Sequence, residues 1–381
     1  MSETVTISPP ARRSGGRRLI HIRELDGLRG IAALMVFFHH VCYTSIDPTK
    51  WGPGVRLLAN VSAIGLSGVD VFIVLSGFHI TSLHIEDRTD PAYYRNFYWK
   101  RALRILPLYA ICLLAVYLFI PDSGRYVLLS ALFISNFAHI FHVSSNGPFW
   151  TLAIEEQFYL LWPTVVRRRT IAQLSHWALG IGIGAIILRL FAACFGHHNY
   201  YFTFYHCDGL ALGAYFACRF ESRHQDSLSR IRAGLLGLLV SSVILFAAGA
   251  LLPHGTPTRE AFSAAALWTA TTLVCGAIVG YLISHSGDRS LTFLRSGPLP
   301  FMGLISYALY MTHLYILQAY DHLRGPLIAN DLTAYLIRFF TVAAFTIGLC
   351  LVSRHLIELP AASLRRFVLK SQSNPASETK T

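Results

Sequence analysis

The feature that most constrains this chain is a succession of apolar runs, each close to bilayer-spanning length, separated by short blocks rich in arginine. A helix needs about 20 largely apolar residues to cross a hydrocarbon core of about 30 Å. Windows of that kind fall at 30–46, 62–84, 104–120, 149–166, 174–195, 201–218, 233–252, 261–284, 300–320 and 332–353. Backbone polar groups in lipid must be satisfied within the segment that carries them, so the chain reads as an all-α, polytopic membrane helical bundle of about ten transmembrane helices. Only 14% of the 381 residues are charged and 54% are hydrophobic, against about 25% charged in a soluble domain, which argues against a cytosolic globular enzyme. The excess of 32 Lys and Arg over 20 Asp and Glu does not indicate nucleic acid as a partner, because the basic residues punctuate apolar runs instead of lining one face.

Those basic residues also orient the bundle. The N-terminal arm, the 86–104 loop, Arg167 to Arg169, the 219–232 loop, Arg289 with Arg295, and the stretch from Arg354 to Lys370 all fall on one side of a ten-span chain. Cytoplasmic loops gather Lys and Arg, so both termini are expected inside. The segment 126–141 (YVLLSALFISNFAHIF) is short and carries Ser135, Asn136 and His139. A full crossing there would invert every later loop, so it reads as a re-entrant or interfacial helix on the outer side. The domain division is a basic cytoplasmic arm at 1–20, a membrane domain at 21–358 and a tail at 359–381, basic and then disordered from 371. No removable signal peptide is evident. Seven scattered cysteines with no C-x-x-C pair predict neither a disulfide framework nor a metal site.

Ionisable side chains inside a bilayer cost about 2.5–3.5 kcal/mol each on insertion scales, so each needs a partner, a cavity or a task. Arg29, in the stretch L-D-G-L-R-G, and His40, in F-F-H-H, are 11 residues apart on the first span. They share a helical face and are about 16 Å apart along the axis. Arg29 reads either as an orientation anchor or as a ligand-binding group at the rim, and His40 either as a satisfied core histidine or as a reactive one. His39 points about 100° away, which favours packing. Arg101 and Arg104 share a face and could hold a phosphate from two sides or serve as anchors. Asp70 needs a partner such as a first-span histidine, or lies exposed at a helix end. Ser76 and Gly77 could be a small-residue packing contact. Glu155 and Glu156 cannot share one azimuth, so one is expected to face a pocket. Asp208, and the stripe Ser306, Tyr310 and His313, add polar groups that could bind substrate or close a buried network.

Taken together, LDGLRGIAALMVFFHH, VDVFIVLSGFHIT, RALRILPLY, FWTLAIEEQFYLLWP, HCDGLALGAYFA and ISYALYMTHLYIL, spread over residues 25 to 317, resemble the acyltransferase-3 family of integral membrane O-acyltransferases. The resemblance implies a ten-helix bundle in a bacterial inner membrane and an acyl-CoA donor, acetyl-CoA above all, used at the cytoplasmic side without a metal. It also implies a carbohydrate or glycoside acceptor. By position, Arg29 and His40 match the family's essential arginine and histidine, and Arg101 and Arg104 match paired arginines proposed to hold coenzyme A phosphate. Thr151 stands where Ser is usual, and His79 follows S-G-F where an apolar residue is commoner. Both departures touch acceptor choice.

The mechanism so implied has His40 as base or transient acyl carrier. A carboxylate orients its imidazole, with Glu155, Glu156 and Asp70 as candidates in that order. Arg29, Arg101 and Arg104 bind the donor, while His313, Tyr310 and Asp208 are candidates for touching the acceptor. The alternative is a proton-coupled secondary transporter in which the same buried groups relay protons; a membrane scaffold without catalysis is a third.

Overall fold

A computed structural model describes residues 21–43, 52–144, 147–197, 199–221, 225–251, 255–325 and 332–370. The arm at 1–20 and the segment 371–381 lie outside the described residues. Among the described residues the chain is helical, with no strand. Helix α1 (Arg23–Phe38) passes directly into a π-helical turn (His39–Tyr43). It is followed by α2 (Pro53–Ala63), a 3-10 turn (Ile64–Leu66) and α3 (Ser67–Asp87). Next come α4 (Tyr93–Phe119), α5 (Gly124–Ala131), α6 (Phe149–Arg168), α7 (Ile171–Cys194) and α8 (Thr203–Glu221). The chain continues through α9 (Gln225–Leu251), α10 (Pro257–Ser284), α11 (Thr292–Arg295), α12 (Pro298–Arg324), α13 (Leu332–Ser353) and α14 (Leu359–Lys370).

The ten long helices correspond to the ten apolar windows, and eight candidate spans among the described residues are long and apolar enough to cross a membrane. The other two, α6 and α8, carry Glu155 and Glu156, and His206 and Asp208. They pack against α3, and α8 also against α7. Helix α10 is central, with 72% of its apolar window buried, whereas α9 buries 11% and is peripheral. The exposed side chains of Phe119, Leu161, Phe191, Phe246 and Phe345 are the lipid-facing counterpart of this arrangement, since a water-exposed surface so apolar would aggregate.

Two local features differ from a simple row of spans. Segment 126–141 is not one helix: α5 is about 12 Å long, Phe133 then takes a left-handed conformation, and a 3-10 turn covers Ser135–Phe141. Neither piece can span. Across residue 358 the helix continues through a π-helical turn (Arg354–Glu358) into α14, which packs against α4.

The glycines of the sequence motifs mark where backbones meet. A Cβ on Gly30 would lie 2.1 Å from the carbonyl oxygen of Leu299, and one on Gly303 would lie 2.1 Å from that of Asp26, so α1 and α12 touch main chain to main chain. The same holds for α3 and α8, where a Cβ on Gly77 would meet the Leu210 oxygen at 2.0 Å and one on Gly213 the Val74 oxygen at 2.0 Å. Without a hydrophobic force between helices in lipid, such close approach is what holds them. Gly77→Ala is therefore expected to lower the melting temperature of the detergent-solubilised protein, at an overpacking cost of about 1–3 kcal/mol. Gly180→Ala, which enters open space, should leave it unchanged. Equal melting temperatures for the two variants would contradict this account of the packing.

Candidate active site

The α1–α12 contact sets the site. The two helices run parallel, so the stripe on α12 meets α1 at two levels. At one level Arg29 Nε donates to Ser306 Oγ at 2.9 Å. At the other, His313 Nε2 and His40 Nδ1 are 3.1 Å apart. Between them the Tyr310 and Thr151 hydroxyls share a hydrogen bond of 2.9 Å, and the Tyr310 ring lies 6.1 Å from that of His313. Arg29, Phe72, Glu155, Ser306, Tyr310 and Met311 line a narrow cleft of about 50 Å³.

The hydrogen-bond partners assign the tautomers of the neutral histidine pair. His313 Nδ1 lies 2.9 Å from the Leu309 carbonyl, which only accepts, so Nδ1 carries the proton and Nε2 offers a lone pair. His40 Nδ1 faces that lone pair and the Val36 carbonyl at 3.0 Å, so it carries its own proton and its Nε2 is the basic nitrogen. His313, wholly buried, thus meets the His40 imidazole where a carboxylate was expected, and its own hydrogen-bond partners are His40 and the Leu309 carbonyl. His39 donates from Nδ1 to the Ser62 carbonyl at 3.2 Å and stacks on Tyr43, a packing role.

His40 sits in a π-helical turn, a rare geometry that recurs at functional sites. That turn is held from α13. Arg338 Nη1 donates to the Val41 carbonyl at 2.9 Å, while its Nε and Nη2 grip both Asp321 oxygens at 2.7 and 2.6 Å. Sequence reading missed this clamp; an arginine in the otherwise apolar run 332–353 was the available signal.

At the Arg29 end, the three guanidinium groups and two carboxylates are unevenly shared. Arg101 Nε donates to Glu156 at 2.9 Å, its Nη2 lies 3.7 Å from Glu155, and its plane sits over Tyr159 at 3.3 Å. Glu155 also accepts from Ser76 at 2.8 Å and from Tyr159 at 3.0 Å. Both carboxylates are therefore engaged in placing Arg101, and neither is bonded to His40 among the described contacts. Arg104 is exposed and lies within electrostatic reach of Arg29 and Arg101, so the two arginines of α4 do not form a symmetric clamp. His79, a departure from the family pattern expected to bear on acceptor choice, is in the field of Arg29 and Arg104 at this same end.

Asp70 and Asp208 lie elsewhere too. Asp70 accepts from Trp268 Nε1 at 3.2 Å and from Thr272 at 3.1 Å, because it faces α10. Asp208 pairs with Arg189, which stacks on Trp268. Both partners of that pair are almost completely buried. Asp208, a candidate substrate contact, is thus part of a buried ion pair joining α7 and α8. No group of three or more potential metal ligands occurs among the described residues.

A narrow cleft lined by Arg29, Glu155, Ser306 and Tyr310, with a buried histidine contact beyond Tyr310, lies within a polytopic helical bundle and defines an integral membrane protein with a polar interior site. Residues 22–355 match the family profile described as "Acyltransferase domain", and the chain belongs to the acyltransferase-3 family. It is a multi-pass integral membrane protein. It is 27% identical over 334 residues to the O-acetyltransferase OatA of Staphylococcus aureus, covering 77% of this chain and 50% of that one. It is 33% identical over 168 residues to the putative peptidoglycan O-acetyltransferase YrhL of Bacillus subtilis, covering 38% of this chain and 23% of that one. A peptidoglycan O-acetyltransferase OatA of Listeria monocytogenes is 29% identical over 163 residues, covering 38% of this chain and 24% of that one. The chain thus spans half the length or less of these relatives. No solved structure matches.

The buried pairs predict an order of stabilities. Asp208→Ala leaves the Arg189 charge buried and is expected to destabilise by about 3–5 kcal/mol. Replacing both residues by leucine should recover much of that loss. Thermal unfolding of the three proteins in one detergent measures it, and a double variant no better than Asp208→Ala would contradict the assignment.

Proposed function

We propose that this protein transfers a short acyl group, most simply acetyl, from acyl-CoA to a hydroxyl of a carbohydrate acceptor, with His40 as the base. The observation that carries the reading is the His313–His40 contact of 3.1 Å, beside Tyr310 of a cleft that Arg29 also lines. Arg29, Arg104 and the carboxylate-held Arg101 leave a net positive charge for coenzyme A phosphates. The cleft is narrow, which favours acetyl over a long chain. Basic residues concentrate at the Arg29 end, which supports a cytoplasmic donor entrance and an acceptor arriving from the opposite side. The names of the relatives support a glycan acceptor of the peptidoglycan kind.

In the chemical step, His40 Nε2 takes the acceptor hydroxyl proton while that oxygen attacks the thioester carbonyl carbon. The carbon–sulfur bond then breaks, and the imidazolium returns its proton to the departing thiolate. His313 Nε2 accepts from His40 Nδ1 throughout, stabilising the imidazolium and fixing the ring, as the acid of a triad does.

In membranes given isotopically labelled acetyl-CoA, His40→Ala is expected to lower label transfer by about 10²–10⁴-fold. His313→Ala should lower kcat about a hundredfold with little change in donor KM, whereas Arg29→Ala should raise donor KM and spare kcat. Undiminished transfer by folded His40→Ala would overturn the mechanism, and label retained on the protein at His40 would replace the base by an acyl carrier.

A further inference from the structure

At the end of the bundle that carries His40, a second cavity of about 500 Å³ opens between the segment containing the 3-10 turn Ser135–Phe141 and residues 199–201. Asn136, His139, His142, Asn199, Tyr200 and Tyr201 supply most of its polar and aromatic lining, and none of its described lining residues is Asp, Glu, Lys or Arg. Hydrogen-bonding groups without formal carboxylate, ammonium or guanidinium charge, set beside aromatic faces, suit a neutral polyhydroxylated ring better than a phosphate or a carboxylate. The volume lies within the usual range of small-molecule sites, about 300–1,000 Å³.

The floor of this cavity is built. Asn136, 1% exposed, donates to Thr203 Oγ1 at 2.8 Å and accepts from Gln157 Nε2 at 2.9 Å. Gln157 Nε2 also donates to the Phe133 carbonyl at 2.7 Å, and its Oε1 accepts from Thr203 at 2.5 Å. This network ties the broken segment to α6 and α8. Beside it Ser135, also 1% exposed, lines the cavity with a buried hydroxyl that has no hydrogen-bond partner among the described residues. An orphaned buried hydroxyl at a cavity wall is costly unless a ligand or water meets it.

The cavity also backs onto the cleft. Tyr200 and Tyr201 pack against Trp150 at 5.3 and 5.0 Å between ring centroids. The next residue, Thr151, lines the cleft and bonds Tyr310, whose ring lies beside His313. Trp150, packed behind Tyr200 and Tyr201, and its neighbour Thr151 in the cleft wall thus lie between the two spaces.

We infer that this cavity is the acceptor site and seats one neutral sugar ring of the glycan, with Tyr201 against the ring face and Ser135, Asn136 and Asn199 bonding its hydroxyls. The assignment to an acceptor rests on the acyl-transfer reading above; the assignment to a neutral saccharide rests on the lining alone.

The test uses the full chain in detergent, with tri-N-acetylchitotriose and maltotriose as probes in saturation-transfer NMR titrations, and acceptor KM measured with labelled acetyl-CoA. Saturable binding of at least one probe is expected, weakened about tenfold by Tyr201→Ala and by Asn199→Ala. Tyr201→Phe, which keeps the ring, should bind within about twofold of wild type. The donor Kd, unchanged across these variants, reports that they are folded. Wild type that saturates with neither probe, or Tyr201→Ala that binds as wild type does, overturns the site. Transfer that proceeds with unchanged acceptor KM in Tyr201→Ala overturns the site and leaves the function standing. Tyr201-dependent saccharide binding without transfer from any acyl-CoA overturns the function and leaves the site standing.

Discussion

Between these helices a polar side chain has little water to turn to, and the charges inside the bundle are held largely by groups from other helices. Arg338 of α13 holds Asp321 of α12 and the Val41 carbonyl at the end of α1; Arg101 of α4 is held by Glu156 of α6; Arg189 of α7 is paired with Asp208 of α8. Removing either partner leaves the other stranded in a low dielectric. The polar residues therefore pin helix register, and the pair His40–His313 inherits its geometry from that pinning.

The glycines act in the complementary way. Backbone-to-backbone contact at Gly30 and Gly303 brings α1 and α12 close enough for short side chains to meet. A serine hydroxyl can reach Arg29, and two imidazoles can share a hydrogen bond, because no Cβ keeps the helices apart. The small residues in L-D-G-L-R-G thus belong to the same device as Arg29 and His40, whose contacts with Ser306 and His313 they allow.

Much of the fold was legible in the residues. Bilayer-length apolar runs have one stable solution, the hydrogen-bonded helix, so ten helices could be read from hydropathy, and Ser135, Asn136 and His139 marked the one segment that breaks. The face shared by Ser306, Tyr310 and His313 followed from helical periodicity and is the face turned to α1 and the cleft. The carboxylates were harder. Glu155, Glu156 and Asp70 are each conspicuous in an apolar helix, but conspicuousness does not say which neighbour a side chain meets. Asp70 meets α10, at Trp268 and Thr272 nearly 200 positions away in the chain, and nothing local to residues 68–78 encodes that.

The sequence by itself determined an all-α membrane bundle, its family and the residue types available for chemistry, because hydropathy, helical period and motif order are properties of neighbouring positions. Only the tertiary structure decided that His313 meets His40, that Glu155 and Glu156 hold Arg101, that Asp208 is spent on Arg189, and that a polar cavity lies behind the wall of the cleft. These are contacts between helices whose rotation and depth are set by packing across the whole bundle, and no single stretch of chain contains that information.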